Sequence, residues 1–433
     1  MKMAEMCALD MRPISIVNGQ GFQALIHEID PSVQVPSHTT VRNMIRKKHS
    51  EMKADMIVIL KEQIAVALTT DLWTSHATED YITLTCHFID DDFNMRSQVV
   101  ATRKLGVRHT GENICNAIQE LISEFHLPEI SGVVHDNAAN MDCALRLLEK
   151  PHFGCFGHTL QLVIQDAMKI KDIQKSVSKC RNIVSFVHRS VPATDALQKA
   201  QIALGLNAFA KPLALIQDVV TRWNSTFYML QRIVELRVPL YSVLHDRAII
   251  KESHARSLEL TDHEWIIVEH LVKVLRPFEK ATKTMSGELY PTISHIYPVV
   301  RGLLATHLNE EENDINPIAK VKECLRDSIN KRFNSGDELP LLLVAGTLNP
   351  TIRGRVLGQE QVETVKADIL AKISVEVENE IETTSTKETT SEEPASKRTK
   401  VDQEAGKTIV VNEGGGGGVV GVFMWPGVTL DQF

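Results

Sequence analysis

The sequence predicts a mixed α/β fold that is interrupted by a large all-α insertion and flanked by a helical N-terminal region and a disordered C-terminal tail. Three observations support this prediction. Short apolar runs of strand length occur within residues 61–160, helical periodicity continues almost unbroken from about 160 to 335, and polar sequence of low complexity follows residue 379. Strands followed by helical segments favour a sheet that is covered by helices, whereas a polar segment without an apolar face favours disorder.

Two apolar runs of strand length, 64–71 and 130–136, each end in an aspartate, Asp71 and Asp136. Runs this short, followed by polar residues, are typical of buried strands that leave a sheet. A carboxylate at such a strand end is held by the sheet while its oxygens face a cleft, and two of them on neighbouring strands can share divalent metal ions. Aspartate is also common there because it starts turns, so the spacing alone leaves both interpretations open.

A hairpin and a helix lie between these two strands. Residues 82–88 alternate apolar and polar side chains, the segment 90–94 is a turn, and 95–105 forms the returning arm. Helix 111–125 carries its apolar residues on one face. The order of strand, hairpin, helix and strand therefore predicts a mixed sheet with a helix packed against it.

Composition excludes several classes of protein. With 43% hydrophobic and 24% charged residues the chain is ordinary globular material. It has no run of 18 apolar residues and no apolar N-terminal stretch, so we expect neither a membrane span nor a membrane partner. Seven scattered cysteines indicate reduced thiols. The net charge of −8 argues against indiscriminate coating of DNA, although the segment 41–53 is a local basic patch.

Four separated motifs occur in a fixed order, and together they resemble one family. They are TTDLWTS (69–75), VVHDNAANM (133–141), GCFGHTLQLV (154–163) and TRWNSTFYML (221–230). The order and wording resemble the hAT family of DNA transposases, and most closely their domesticated relatives, the zinc finger BED domain-containing proteins. The resemblance covers residues 1–355. It implies an RNase H-like core whose catalytic Asp-Asp-Glu set is interrupted by a helical insertion.

The resemblance divides the chain into five segments. These are a dimerisation-like helical region at 1–60, the first part of the RNase H-like core at 61–160, the helical insertion at 161–340, a degraded return to the core at 341–379, and a disordered polar and glycine-rich tail at 380–433. The first segment can equally be a helical cap on the core, and the sequence does not decide between a cap and a surface for a homo-oligomer.

The resemblance also implies roles for single residues. Asp71 and Asp136 correspond to the first two catalytic carboxylates, which in an active enzyme hold two Mg²⁺ or Mn²⁺ ions, one of which activates water for attack on a phosphodiester. Cys155 and His158 form the CxxH pair that lies beside the family's active site, where the histidine is proposed to help position DNA. By default such a pair is a buried Cys and His in packing, and a zinc finger is rejected because no four-ligand spacing exists.

Arg222 and Trp223 correspond to the family's Arg-Trp motif. The resemblance implies that the tryptophan stacks on a flipped base at the transposon end, and an arginine beside an aromatic ring suits phosphate and base contacts. A buried indole that anchors a core is the alternative. Both interpretations remain open for Trp223.

A basic run in the polar tail predicts nuclear localisation. Lys397, Arg398 and Lys400 follow a proline in the segment PASKRTKVD (394–402), which belongs to a polar tail without an apolar face to bury. An exposed, extended run of this kind is what a nuclear import receptor binds. We therefore expect an import receptor as a partner and the nucleus as the location.

Three features expected of a full-length active relative are missing from the sequence. No Cys₂His₂-type spacing occurs, so we expect neither a BED finger nor a zinc site. No motif matches the third catalytic glutamate, and the Leu-Asp-Pro segment upstream of it has become Leu-Asn-Pro at 348–350. A polar tail takes the place of the C-terminal dimerisation region.

Two carboxylates without the third hold metals poorly, so we expect an inactive protein that needs no cofactor, with Mg²⁺ retained at Asp71 and Asp136 at most. The favoured function is that of a domesticated or truncated transposase that acts in the nucleus through protein association and DNA-linked regulation of transcription. The alternatives are a fragment without function or an active DDE-type transposase. A SUMO-ligase activity like that of a relative is least favoured, because no residue carries a mechanism for it.

Overall fold

The computed structural model describes residues 2–75, 77–206, 211–287, 290–333, 339–352, 362–367 and 369–371. The chain divides into two units, Met1–Leu342 and a second one that begins at Leu343. The first unit contains the sheet and the helices that follow it. The C-terminal segment predicted to be disordered, 380–433, lies outside the described residues.

The N-terminal region is helical, as the sequence predicts. Helices α1 (Lys2–Leu9), α2 (Gln20–Ile29) and α3 (His38–Lys61) follow one another, with a short 3₁₀ turn between the first two. The hydroxyl of Ser37 accepts a hydrogen bond from the Thr40 N–H at 3.1 Å, which caps the start of α3. Near the end of α3, Leu60 is fully buried in the core of the sheet domain. By contrast, α2 has no buried residue.

Five strands form one mixed sheet in the order β3-β2-β1-β4-β5. Strands β1, β2 and β3 pair antiparallel, whereas β4 and β5 run parallel to β1. The strands are β1 (Ala65–Thr74), β2 (Asp80–Ile89), β3 (Met95–Lys104), β4 (Glu129–His135) and β5 (His152–Gly154). The predicted mixed α/β fold is confirmed. The three-residue β5 was not predicted, because so short a strand has no periodicity to recognise.

Two helices cover one face of the sheet. Alternate residues of β2 are buried, including Ile82 and Leu84, and they pack in one cluster with the apolar face of α4 (Gly111–Glu124) and with α5 (Ala139–Leu148). The hydroxyl of Thr110 caps α4 by accepting from the Asn113 N–H. Burying each large aliphatic side chain in such a cluster stabilises the fold by about 1.5–3 kcal/mol. This core fixes the strands, and therefore the residues at their ends.

The first strand is longer than the sequence predicts. The predicted end at Asp71 is wrong, because pairing with β2 continues to Thr74, which lies opposite Asp80. Pairing with β4 ends earlier, at Thr69 opposite Val134. Asp71 is therefore still paired with β2, but it lies beyond the last residue of β1 that pairs with β4.

Between residues 156 and 333 the described residues are mostly helical, with a non-helical segment at 211–222. The longest helix of this region, α12, begins with a capping box in which Thr261 and Glu264 satisfy each other's backbone N–H groups. The helices are α6 (Phe156–Met168), α7 (Lys171–Arg189), α8 (Val191–Ala203), α9 (Trp223–Glu235), α10 (Arg237–His245), α11 (Glu252–Leu258), α12 (Asp262–Met285), α13 (Ile293–Gly302) and α14 (Asn316–Phe333).

One further helix, α15 (Leu339–Leu348), ends at the first residue of the Leu-Asn-Pro segment. None of the helices in the described part of the chain is both long enough and apolar enough to cross a membrane.

Candidate functional site

Asp71 projects from the face of β1 that does not contribute to the core. Val66, Leu68 and Thr70 are buried, so the alternating residues of the strand face the other way. Asp71 is exposed and lies directly opposite Thr83 of β2. The sheet therefore holds the backbone of Asp71 rigidly while its carboxylate remains accessible.

Asp136 follows β4 immediately, and the strand register brings it to the same place. Thr69 and Val134 are paired in parallel, and Asp71 and Asp136 are each two residues further along the chain. Because side chains alternate along a strand, both aspartates project on the same face of neighbouring segments, whose lines lie about 4.8 Å apart in a sheet. The structure therefore brings together the two carboxylates that were singled out from the sequence.

The pKa of Asp71 reflects the proximity of Asp136. Partial burial raises the pKa of the Asp71 carboxyl, and the negative charge of Asp136 raises it further, while His158 acts in the opposite direction. Because the charge of Asp136 raises the pKa of the Asp71 carboxyl, the pair forms a site whose negative charge a cation would neutralise. The arrangement is therefore suited to a divalent ion with oxygen ligands, such as Mg²⁺.

The loop that carries Asp136 is fixed by short polar contacts. The Asp136 carboxylate accepts from the Ala138 N–H at 3.3 Å, and the Asn137 amide donates to the Thr159 hydroxyl at 2.9 Å. A Cβ atom at Gly154 would lie 2.1 Å from the Asn137 side-chain oxygen. The side chain of Asn137 can therefore keep this position only beside a residue without a side chain.

The CxxH pair lies beside the two aspartates. The Cys155 N–H donates to the His135 carbonyl at 2.6 Å, which joins the start of α6 to the end of β4. His158, in the first turn of α6, is exposed, and its charge acts on Asp71. The structure therefore places His158 at the site, while Cys155 is half-buried at the helix start. Its predicted part in DNA contact stays a prediction.

Arg222 and Trp223 differ in exposure. Arg222 is exposed and precedes α9, whereas Trp223 is its first residue and is only 5% exposed. The backbone N–H of Trp223 donates to the Gln161 side-chain oxygen at 2.9 Å, and the Trp223 ring packs against Phe227. These contacts favour the core alternative for Trp223, because a buried indole has no open face on which a base could stack.

A stacked pair of aromatic residues beside the site, of which Trp73 is exposed, was missed in the sequence. Trp73 is 42% exposed and stacks on Tyr81 with ring centroids 4.6 Å apart. Its indole N–H donates to the Thr83 hydroxyl at 3.2 Å. Trp73 is two residues beyond Asp71 and therefore shares its face of the strand. The TTDLWTS motif contains this tryptophan, but the cross-strand partner becomes apparent only from the register.

A cluster of three potential metal ligands was also missed. His135, Asp142 and His152 bring one ligand atom each to within 4.8 Å of one another. The sequence expectation that the chain lacks a zinc site was based on spacing, and residues 135, 142 and 152 match no familiar spacing. The cluster exists because β4, α5 and β5 meet at this point.

Among the described residues, no third carboxylate acts on Asp71. The charged groups that do so are Asp136 and His158. The predicted import signal, Lys397, Arg398 and Lys400, lies outside the described residues.

Comparison with known proteins assigns the same two regions to domain families. Residues 69–154 match the ZBED1 RNase-like domain, and residues 153–274 match the ZBED1 RNase-like helical domain. The boundary between them, at residues 153–154, coincides with β5 and the start of α6.

Individual relatives agree with this assignment. Zinc finger BED domain-containing protein 4 of Homo sapiens is 26% identical over 391 residues, which cover 86% of this chain and 32% of the relative. Zinc finger BED domain-containing protein 6 of Homo sapiens is 27% identical over 364 residues (79% and 35%). A putative AC transposase of Zea mays is 26% identical over 305 residues (66% and 36%).

The chain spans about a third of the length of these curated relatives. The matches nevertheless include both the sheet with its paired aspartates and the helical region that follows it. The two domain matches and these relatives therefore support a hAT transposase-derived protein of the BED type.

Proposed function

We propose that this chain is a transposase-derived nuclear protein that binds DNA and protein partners but does not cleave DNA. The observation that supports the proposal is the Asp71–Asp136 pair, which the strand register brings to one face of the sheet but which has no third carboxylate acting on it among the described residues. Such a site can associate with nucleic acid through its neighbouring groups while it lacks the full set of metal ligands that cleavage requires.

The physical reason is the requirement of two-metal chemistry. One ion activates the attacking water and the second stabilises the leaving oxygen, so both must be held at a fixed separation of about 3.5–4 Å. Two carboxylates can hold one cation, but they leave a second cation short of ligands. We therefore expect binding of Mg²⁺ without appreciable cleavage.

Association with DNA is supported by the groups that surround the two aspartates. Trp73, which stacks on the half-buried Tyr81 and is 42% exposed, offers an aromatic face on which a base could stack. His158 is exposed on the neighbouring helix. These groups can bind unpaired bases without any metal-dependent reaction, which is the mode of binding that we propose.

Association with protein is supported by α2. Its apolar residues Leu25 and Ile29 are 56% and 72% exposed, and no residue of the helix is buried. A helix with an uncovered apolar face favours packing against a partner. We propose that this face pairs with a second copy of the chain, while α3 acts as the cap on the core through Leu60.

An active transposase is the second candidate, because both aspartates are present and the charge of Asp136 raises the pKa of the Asp71 carboxyl. It requires that a glutamate from a part of the chain outside the described residues, or from a partner, reaches Asp71 and Asp136. Metal-dependent cleavage is the property that separates the two candidates.

Nuclear action is tested by localisation of the tagged full chain. Replacement of Lys397, Arg398 and Lys400 by alanine should move the protein to the cytoplasm, because an import receptor recognises these charges in an extended segment. The matched control replaces three basic residues of α3 by alanine, namely Arg46, Lys47 and Lys48. Nuclear accumulation of the first variant and loss of it in the control would show that the signal lies in α3 instead.

A further inference from the structure

We propose that His135, Asp142 and His152 form a binding site for a single Zn²⁺ ion, separate from the Asp71–Asp136 pair. His135 is the last residue of β4, Asp142 lies in the first turn of α5, and His152 begins β5. The site would therefore join three elements that are separate in the sequence.

The distances within the cluster suit a small tetrahedral ion. The Nε2 atom of His135 lies 3.1 Å from Nδ1 of His152 and 3.8 Å from a carboxylate oxygen of Asp142. Ligands about 2.0–2.1 Å from zinc at the corners of a tetrahedron are about 3.3–3.4 Å apart. The two measured distances lie on either side of this value, so small side-chain rotations are sufficient to admit the ion.

The orientation of His135 also suits a metal ligand. Its Nδ1 is hydrogen-bonded to the backbone carbonyl of Asp136, and this bond requires the ring proton to be on Nδ1. The lone pair of Nε2 consequently points toward His152 and Asp142. A backbone carbonyl that fixes the tautomer of a histidine in this way is the usual support of a zinc ligand.

Asp142 is oriented by a second contact. One carboxylate oxygen faces His135, and the other accepts from the Arg146 guanidinium at 3.0 Å. The arginine holds the carboxylate in place without occupying the oxygen that faces the cluster. Two imidazoles, one carboxylate and a water molecule would complete a four-coordinate site of the type that zinc prefers over Mg²⁺.

A metal-free arrangement is the competing explanation. His135 is 2% exposed, and its Nε2 can accept a hydrogen bond from the Nδ1–H of His152. This bond would satisfy the buried ring without an ion. In that arrangement the ion pair with Arg146 accounts for Asp142, so zinc binding itself is the property that separates the two explanations.

The proposed ion has a consequence for the neighbouring site. Since His135 is bonded to the Asp136 carbonyl, an ion on Nε2 would restrain the backbone from which Asp136 projects. Zinc would thus be a structural element that holds one of the two aspartates in position. It would take no part in chemistry itself.

The test is zinc binding by the purified full chain after treatment with a chelator. Titration calorimetry is performed in excess Mg²⁺, so that the Asp71–Asp136 pair does not compete for zinc. We expect one equivalent of Zn²⁺ to bind the wild type and to raise its melting temperature. His152→Asn and Asp142→Asn should each weaken zinc binding by at least about tenfold. Asp71→Asn and the exposed His49→Asn are the matched controls, and both should bind zinc like the wild type.

Cobalt gives an independent measurement of the geometry. A Co²⁺-loaded wild type should show the strong visible absorption of a tetrahedral site, and this absorption should be lost in Asp142→Asn. Asp142 is partly exposed, so this variant should fold normally even if His152→Asn does not. Absence of saturable zinc binding, or wild-type affinity in Asp142→Asn, would overturn the proposal.

Discussion

Replacement of the two tryptophans, one at a time, separates a structural role from a DNA-binding role. Trp223 is 5% exposed and packs at the start of α9, whereas Trp73 is 42% exposed beside Asp71. Truncation of a buried tryptophan to alanine costs about 3–5 kcal/mol of unfolding free energy, since it removes the contacts of the ring and leaves a cavity. We therefore expect Trp223→Ala to lose about this amount.

The same truncation at the exposed position should behave in the opposite way. Trp73→Ala removes a partly exposed ring and its hydrogen bond to Thr83, so we expect a loss of stability of about 1 kcal/mol. If a base stacks on Trp73, its removal should weaken binding of a single-stranded oligonucleotide by about 1–3 kcal/mol. This corresponds to about a 5- to 150-fold increase in Kd.

Both quantities can be measured on the same proteins. Urea denaturation gives the stability when it is monitored by the circular dichroism of the backbone, a signal that does not depend on the tryptophans. Fluorescence anisotropy of a labelled oligonucleotide gives the affinity. Trp223→Phe, which retains most of the packing, should recover both stability and DNA binding if the role is structural. A Trp223→Ala variant that is as stable as the wild type but fails to bind DNA would refute the assignment of this residue to the core.

Three further predictions test other parts of the structure. Asp71→Asn should stabilise the protein at pH 7 by less than about 1 kcal/mol. The pKa of Asp71 is raised in the folded protein, so stability falls as the pH rises through that pKa, and solvent limits the size of the effect. The urea midpoints of variant and wild type should therefore converge at low pH, and equal midpoints at pH 7 would contradict this. Gly154→Ala should lower the free energy of unfolding by about 1–3 kcal/mol, because the added Cβ atom clashes with Asn137. A second substitution, Asn137→Ala, should recover part of this loss. The control Gly21→Ala places its Cβ atom in open space and should show no such loss. Replacement of Leu25 and Ile29 together by glutamate should convert a dimer into a monomer in sedimentation, whereas a wild type that is already monomeric would exclude pairing through α2.

The sequence predicted those elements that have a strong periodic signal. The alternating residues of β2 and the apolar face of α4 were recognised because burial repeats with the period of a strand or a helix. The two aspartates were singled out because an apolar run leads directly to each of them. The strand that carries Asp71 was predicted to end too early, since the length of a strand depends on its neighbours, here Thr74 opposite Asp80.

The remaining features of the site depend on contacts between distant residues. His135, Asp142 and His152 become neighbours only when β5 adds to the sheet beside β4, and nothing in their spacing indicates this. Likewise, the stacking of Trp73 on Tyr81 requires the register of the β1–β2 hairpin. The burial of Trp223 follows from packing within the helical region, which the Arg-Trp motif does not reveal.

The most direct measurement is a cleavage assay with the purified full chain on DNA that carries hAT-type terminal repeats, in Mg²⁺ and separately in Mn²⁺. With two carboxylates at the site, we predict binding of the DNA without nicking, strand transfer or hairpin formation, and the same result for Asp71→Ala. Cleavage by the wild type that disappears in both Asp71→Ala and Asp136→Ala would contradict the account, because it would show that a third metal ligand completes the site.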